Sequence, residues 1–307
     1  MKEVVTIFTP TYNRAYKLSN LYQSLINQTN KQFEWLVIDD GSNDNTRQLI
    51  KEFIKEDKIN IVYVHKKNEG KSIAINKAAE YSKTDWIFIV DSDDTLTSDA
   101  VDVVIQFCDS VKDQPEFAGV AGLKGKSSTE VWSSFNVHQI QSDQATKNIT
   151  EMVDEYIDAT AIEYRFAHGI SGDRAEVIRK DVLKEYPFPK IPNENFMPES
   201  LLWFALSRDG YKFRWFNNII YLAEYLEDGL TKNGKKISLK NSKSKCYLEN
   251  FFLSLSELPF RVRVKSAINY YRYGLYSGYR WKDLMQDCKD KKMSLIGIPV
   301  SFFYKVK

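Results

Sequence analysis

Short apolar runs, each ending in a polar cluster and each followed by a helical repeat of apolar positions, fill the first third of this chain and constrain its fold more than any other feature. Val4 to Phe8 is a β-branched run that stops at Thr9-Pro10-Thr11, as a buried strand entering a loop does. Leu18, Leu21, Leu25 and Ile26 then recur at helical spacing, and Trp35 to Ile38 forms a second buried run. A helix carrying Leu49, Ile50, Phe53 and Ile54, a strand at Ile59 to Val64, a helix at Lys71 to Tyr81 and a strand at Trp86 to Val90 continue the rhythm. Strands alternating with helices of this length imply right-handed crossovers and a mainly parallel, doubly wound sheet covered on both faces. In such a sheet, ligands gather at the carboxyl ends of the strands.

Beyond residue 95 the rhythm loosens. Ser98 is placed to cap a helix bearing Val101, Val104, Ile105 and Cys108, and Phe117 to Ala121 reads as a further strand. Residues 124 to 156 are rich in Ser, Gln, Asn, Asp and Thr and predict an irregular excursion on the acceptor side. Ala175 to Ile178, Phe213 to Trp215 and Ile219 to Tyr225 read as strands, with helices at Arg179 to Glu185 and Leu201 to Ser207. From Ser238 onward, Tyr247, Phe251, Phe252, Leu255, Ile268, Tyr271 and Leu275 mark helices in an aromatic, basic tail.

The expected organisation is therefore an α/β domain over 1–235, in two parts with different rhythms, 1–95 and 96–235. A helical extension over 236–307 follows it. Charge adds exclusions: 43 basic and 41 acidic side chains leave a net +2, so no nucleic-acid partner is expected. The 3 cysteines, Cys108, Cys246 and Cys288, form no CxxC pair and argue for a reducing compartment. With no secretory signal or membrane-length apolar run in the sequence, the expected location is cytoplasmic. The tail from Trp281 to Lys307 mixes aromatics with lysines, which suits packing on the domain and also peripheral contact with the inner face of an anionic membrane. Aromatic helices of this kind also leave a homo-oligomer open.

Chemistry concentrates at the strand ends. Asp91-Ser92-Asp93-Asp94 follows the fourth strand, and carboxylates two positions apart there can converge on one hard cation and a diphosphate. Mg2+ and Mn2+ both fit such oxygen ligands. Asp39-Asp40 ends the second strand and suits either a nucleobase or ribose contact or an Asx-type turn into Gly41. Asn68, Gly70 and Lys71 stand where a loop enters a helix, a place suited to an anion. His65, His138 and His168 share no ligand spacing.

Taken in order, Thr9-Pro10-Thr11-Tyr12-Asn13-Arg14, then Ile38-Asp39-Asp40-Gly41-Ser42-Asn43-Asp44, then Asn68-Glu69-Gly70-Lys71-Ser72, then Val90-Asp91-Ser92-Asp93-Asp94 resemble the family 2 glycosyltransferases with the GT-A fold. The resemblance is strong over Val4 to Asp94 and weakens afterward, and it implies that 1–235 is a catalytic domain with a nucleotide-binding half (1–95) and an acceptor-binding half (96–235). It implies a Rossmann-like, mainly parallel sheet flanked by helices, a UDP-sugar donor, an Asp-X-Asp metal site and inversion at the anomeric carbon. By position, Pro10, Thr11, Tyr12, Arg14 and Asp40, with Asn68 and Lys71, would line the nucleoside pocket. Asp91 would meet the ribose or diphosphate, Asp93 the metal, and Asp94 the donor sugar.

The resemblance also implies a general base in an acidic pair at the start of a later helix. The matching segment is Met197-Pro198-Glu199-Ser200-Leu201, where serine replaces the second acid, so Glu199 is the expected base and Asp173 its rival. Tyr225 to Thr231 is a weak candidate lid. The expected acceptor is a glycan, a polyol-phosphate polymer or a lipid-linked molecule in surface polysaccharide or glycoconjugate synthesis. Two other readings compete: a catalytically silent nucleotide-binding scaffold, motivated by the missing second acid, and a sugar-nucleotide nucleotidyltransferase. The absence of glycine from Thr9 to Arg14 argues against the latter.

Overall fold

The computed structural model describes residues 2–131, 156–223, 234–295 and 298. Its strands are β1 (Val5–Thr11), β2 (Phe33–Asp39), β3 (Asn60–His65), β4 (Trp86–Ile89), β5 (Thr95–Leu96), β6 (Phe117–Gly125), β7 (Tyr156–Ala159), β8 (Arg174–Arg179) and β9 (Lys212–Leu222). Its helices are α1 (Ala15–Ile26), α2 (Thr46–Glu56), α3 (Lys71–Tyr81), α4 (Ala100–Val111), α5 (Lys180–Glu185), α6 (Ser200–Arg208), α7 (Gly234–Lys240), α8 (Ser242–Leu253), α9 (Phe260–Tyr276) and α10 (Trp281–Asp287). A π-helical turn occupies Glu163–Ala167.

All the described strands share one sheet, ordered β3-β2-β1-β4-β8-β6-β9-β5, with β7 against β9. The β1 to β4 half is parallel, as the alternation with helices predicts. Strand β8 runs antiparallel between β4 and β6 and turns the rest of the sheet mixed.

Each central strand is apolar on both sides because helices cover both faces. Val5, Ile7, Trp35, Val37 and Phe88 join Leu18, Leu21, Ile50 and Val104 under α1, α2 and α4. Phe8, Leu36, Ile38 and Ile87 join Ala74, Ala78, Leu183, Leu202 and Phe204 under α3, α5 and α6. Tyr22 stacks on Phe53 at 4.0 Å in the first of these layers. Truncating a buried aromatic there to alanine costs about 3–5 kcal/mol.

Several local expectations change. Thr9-Pro10-Thr11 does not end β1 but belongs to it, in register with Val37-Ile38-Asp39. Proline is tolerated because it shares parity with Phe8, whose carbonyl accepts from Val90 N at 2.8 Å, so its missing amide faces the side where β4 has already ended. Ser98 is not the cap of α4. Asp99 holds that position and makes no side-chain cap bond. Phe213 to Trp215 and Ile219 onward form a single strand through Asn217-Asn218, with shifted register against β6. The two-residue β5 was too short to read from the sequence.

The start of the polar excursion is ordered: Lys124 and Gly125 finish β6, and Lys126 N donates to Glu130 O at 2.7 Å in a tight turn. Residues 132–155, with His138, and the candidate lid at Tyr225 to Thr231 lie outside the described residues, as do 299–307 of the tail. Leu248 of α8, together with Leu255 and Leu258, joins the core beneath α6, which ties the extension to the domain. Cys246, Ala267, Tyr270, Tyr271 and Leu284 form the extension's own small core. All three cysteines are free and buried. Among the described residues no helix is long and apolar enough to cross a membrane.

Candidate functional site

The carboxyl ends of β1, β2, β3 and β4 converge, and hydrogen bonds join their loops. Asn13, in the left-handed region at φ 52°, donates its amide to Ser42 Oγ at 2.9 Å and accepts from Asn43 N at 2.8 Å. Asp44 in turn accepts from Ala15 N at 3.1 Å. Thr11 lies at the end of β1 with its hydroxyl buried and without a hydrogen-bond partner, while Tyr12 beside it is exposed. A buried hydroxyl left unsatisfied at a strand end is uncommon and suits a ligand. Arg14 donates to Tyr16 Oη at 2.6 Å.

The two aspartates after β2 divide their work. Asp39 accepts from Ser42 N at 2.8 Å and from Tyr63 Oη at 2.6 Å, so it builds the turn. Asp40 accepts from Glu69 N at 2.9 Å and Gly70 N at 2.7 Å and pairs with Lys66. Asp40, expected to meet the base, thus also anchors the loop between β3 and α3. Asn68 accepts from Asn195 Nδ2 at 3.1 Å. Gly70 has φ 90°, and a Cβ there would stand 1.7 Å from Asn195 O, so only glycine lets the two backbones meet.

Lys71, the first residue of α3, bridges the crevice. Its ammonium lies 2.6 Å from Asp91 Oδ1 and 2.7 Å from Glu199 Oε1. Burial disfavours the charged ammonium, but the two carboxylates more than compensate and hold Lys71 protonated. For Asp91, burial acts upward and the charges of Lys71 and Lys124 reverse it, keeping the carboxylate ionised. Burial and the Asp91 charge push the Asp93 carboxyl up, with Arg14 and Lys71 opposing. Glu199 immediately precedes α6, so its placement follows from Pro198 and the helix start.

Asp94 is fixed rather than free. Tyr221 Oη of β9 donates to Asp94 Oδ2 at 2.7 Å and accepts from Asp91 N at 2.9 Å. Lys124 Nζ stands 4.1 Å from the centre of the Tyr221 ring. Sequence reasoning missed Tyr221 and Lys124 because they come from β9 and β6, distant in sequence. It also missed Glu176 of β8, a carboxyl pushed up to about 8 by burial and by Glu199 and Asp173, against the pull of Lys124. Asp173 itself is exposed in the turn before β8.

A divalent cation fits this donor set. Asp93 and Asp91 carry hard carboxylate oxygens two positions apart after β4, and beside burial the Asp91 charge pushes the Asp93 carboxyl up, a repulsion that a cation relieves. Among the described residues no three His, Cys, Asp or Glu side chains converge as a closed metal cage. That suits an ion held by one or two carboxylates and completed by phosphate oxygens and water.

A parallel four-strand half extended by a mixed half, with helices on both faces, is the architecture of the GT-A fold. Residues 6–157 match the model of glycosyl transferase family 2, and over this span the chain is a domain of that family. The putative teichuronic acid biosynthesis glycosyltransferase TuaG of Bacillus subtilis (strain 168) is 30% identical over 107 residues, 34% of this chain and 42% of that protein. The chain spans only 15% to 42% of the length of the curated relatives it matches first. S. aureus TarS 1-349 in complex with UDP-GlcNAc shares the fold, with TM-score 0.58 and 16% identity over 96% of this chain and 84% of that one. The mannosyltransferase PcManGT from Pyrobaculum calidifontis, in complex with GDP-Man and Mn2+, does so with TM-score 0.57 and 12% identity over 99% and 88% of the two chains.

Proposed function

We propose that this chain transfers a sugar, with inversion, from a UDP-sugar to a hydroxyl of a glycan, polyol-phosphate polymer or lipid-linked acceptor. The observation that carries this reading is the Lys71 bridge, which brings Asp91 of the diphosphate cluster and Glu199 to within 2.6 and 2.7 Å of one ammonium. Donor anchor and candidate base therefore share one cation at the mouth of the parallel sheet. Binding of UDP-GlcNAc by a protein of the same fold supports a UDP-type donor, and the name of TuaG supports a surface polysaccharide.

Glu199 removes the proton of the acceptor hydroxyl as its oxygen attacks the anomeric carbon on the face opposite the diphosphate, and the bond from that carbon to the phosphate oxygen breaks. Lys71 loses one carboxylate partner to substrate and turns its charge toward the diphosphate. Asp93 would hold Mn2+ or Mg2+, which supplies charge neutralisation of the leaving group. Asp91 orients ribose or diphosphate, Asp94 the sugar side, and Thr11, Tyr12 and Arg14 the nucleoside. The free, buried cysteines suit a reducing cytoplasm, with the acceptor met at the inner membrane face where it is lipid-linked.

The test is UDP release over a panel of UDP-sugars with Mn2+ or Mg2+, for wild type, Asp93→Ala and Glu199→Gln. Donor-selective turnover lost in both variants is expected. Metal-dependent UDP binding without turnover on any donor would favour the silent scaffold instead.

A further inference from the structure

Glu199 has no acidic neighbour in its own helix, because Ser200 follows it, yet a second carboxyl reaches the crevice from another element. Glu176 lies in β8 opposite Ala121 of β6, one step beyond the Phe88–Val177 pair, which sets it beside Ile89 and just below Asp91. Its neighbours Ala175 and Val177 point into the layer under α1, α2 and α4. Glu176 therefore points to the opposite face with Ile178, the face that carries α6 and Glu199. It is only partly covered by protein, and among the described residues no cation comes within ion-pair distance of it.

Glu176 thus lies on the face of the sheet that carries Glu199, close enough for the charges of Glu199 and Asp173 to act on it. We propose that Glu176 is a donor-sugar recognition residue, a carboxyl that donates a hydrogen bond to a hydroxyl or carbonyl oxygen of the transferred sugar and so selects it. This rests on the transferase reading above. A carboxylic acid kept neutral in a crowded acidic site is a hydrogen-bond donor, which an ionised carboxylate is not. Burial, then Glu199 of α6 and Asp173 of the preceding turn, favour the neutral form, while Lys124 of β6 opposes it. Lys71 pairs with both Asp91 and Glu199, at 2.6 and 2.7 Å.

The experiment is calorimetric titration of the full chain, with Mn2+, by UDP and by UDP-glucose, UDP-galactose, UDP-GlcNAc and UDP-GalNAc. Wild type, Glu176→Gln and Glu176→Leu are compared at pH 7 and pH 9. For the sugar that wild type binds most strongly relative to UDP, Leu is expected to reduce that relative affinity at least tenfold while leaving UDP binding unchanged. Gln, which still donates, is expected to keep it at pH 7 and to remove its decline at pH 9. Intact UDP binding with the same UDP-sugar to UDP ratio in wild type and Leu overturns the role of Glu176 alone. Failure of wild type to bind any uridine nucleotide overturns the transferase reading and this inference with it.

Discussion

The ammonium of Lys71 sits 2.7 Å from the Glu199 carboxylate, so the first residue of α3 holds the residue that opens α6, more than a hundred positions later, across the crevice. The same ammonium is 2.6 Å from Asp91. Removing it leaves two carboxylates facing one another in a partly desolvated space.

Lys71→Ala should therefore raise the apparent protonation point of Asp91, because a nearby cation depresses a carboxyl by about 1–3 pH units and that effect is lost. UDP affinity should fall about tenfold, equivalent to about 1.4 kcal/mol. Titration calorimetry with UDP at several pH values measures both.

Tyr221→Phe deletes one hydroxyl that serves Asp94 at 2.7 Å and Asp91 N at 2.9 Å. Losing a buried hydrogen bond to a charged group, together with one to a backbone amide, costs about 1–3 kcal/mol. Denaturant unfolding should show that loss, and UDP release should slow at least several-fold, because Asp94 loses one of the contacts that orient it. Unchanged turnover would remove Asp94 from the sugar side of the site.

Gly70→Ala meets a backbone oxygen at 1.7 Å and a positive φ together. A loss of about 3 kcal/mol or more is expected from strain of this kind, read as a lower midpoint in chemical denaturation. Nucleotide binding should fall with it, because the displaced loop carries Asn68 and Lys71.

Glu176 binds its proton more tightly in the fold, at about 8, than the ordinary glutamate value of 4.5. The native state then carries more protons than the unfolded chain between those values, so stability due to this group declines as pH rises from about 4.5 to 8. Glu176→Gln removes the ionisation and should stabilise the protein by about 2 kcal/mol or more at pH 8, with little effect at pH 4. Urea midpoints of the two proteins across that range provide the check.

Chelation by EDTA should abolish UDP-sugar turnover, and Mn2+ or Mg2+ should restore it in wild type but not in Asp93→Ala. Folding should be unaffected by the chelator, because the described residues contain no closed metal cage.

The parallel half of the fold was legible because strand and helix periods differ and because each strand end carries a turn or acidic cluster. Asp91, Asp93 and Lys71 could be named from those signals, whereas Glu199 could be named only through the family resemblance. Tyr221 could not, since it lies inside an apolar strand and gains its role only when β9 is added to the sheet two strands from β8. Glu176 was hidden the same way, in the middle of a run read as a plain strand. Asp40 carries a local task besides the ligand contact its motif suggests, because the amides of Glu69 and Gly70 and the ammonium of Lys66 engage its oxygens. Helix α4 misled at its start because Ser98 looked like a cap, although the chain begins the helix one residue later without side-chain help.

The backbone meeting of Gly70 and Asn195 has a consequence for recombination. The segment from 189 to 199, which delivers Glu199, is seated on the turn that delivers Lys71, and Asn195 also reaches Asn68 at 3.1 Å. Swapping the first hundred residues for those of a relative would separate two backbones that meet only because Gly70 has no side chain. A working chimera has to inherit the 189–199 strip from the same parent as the turn at Gly70.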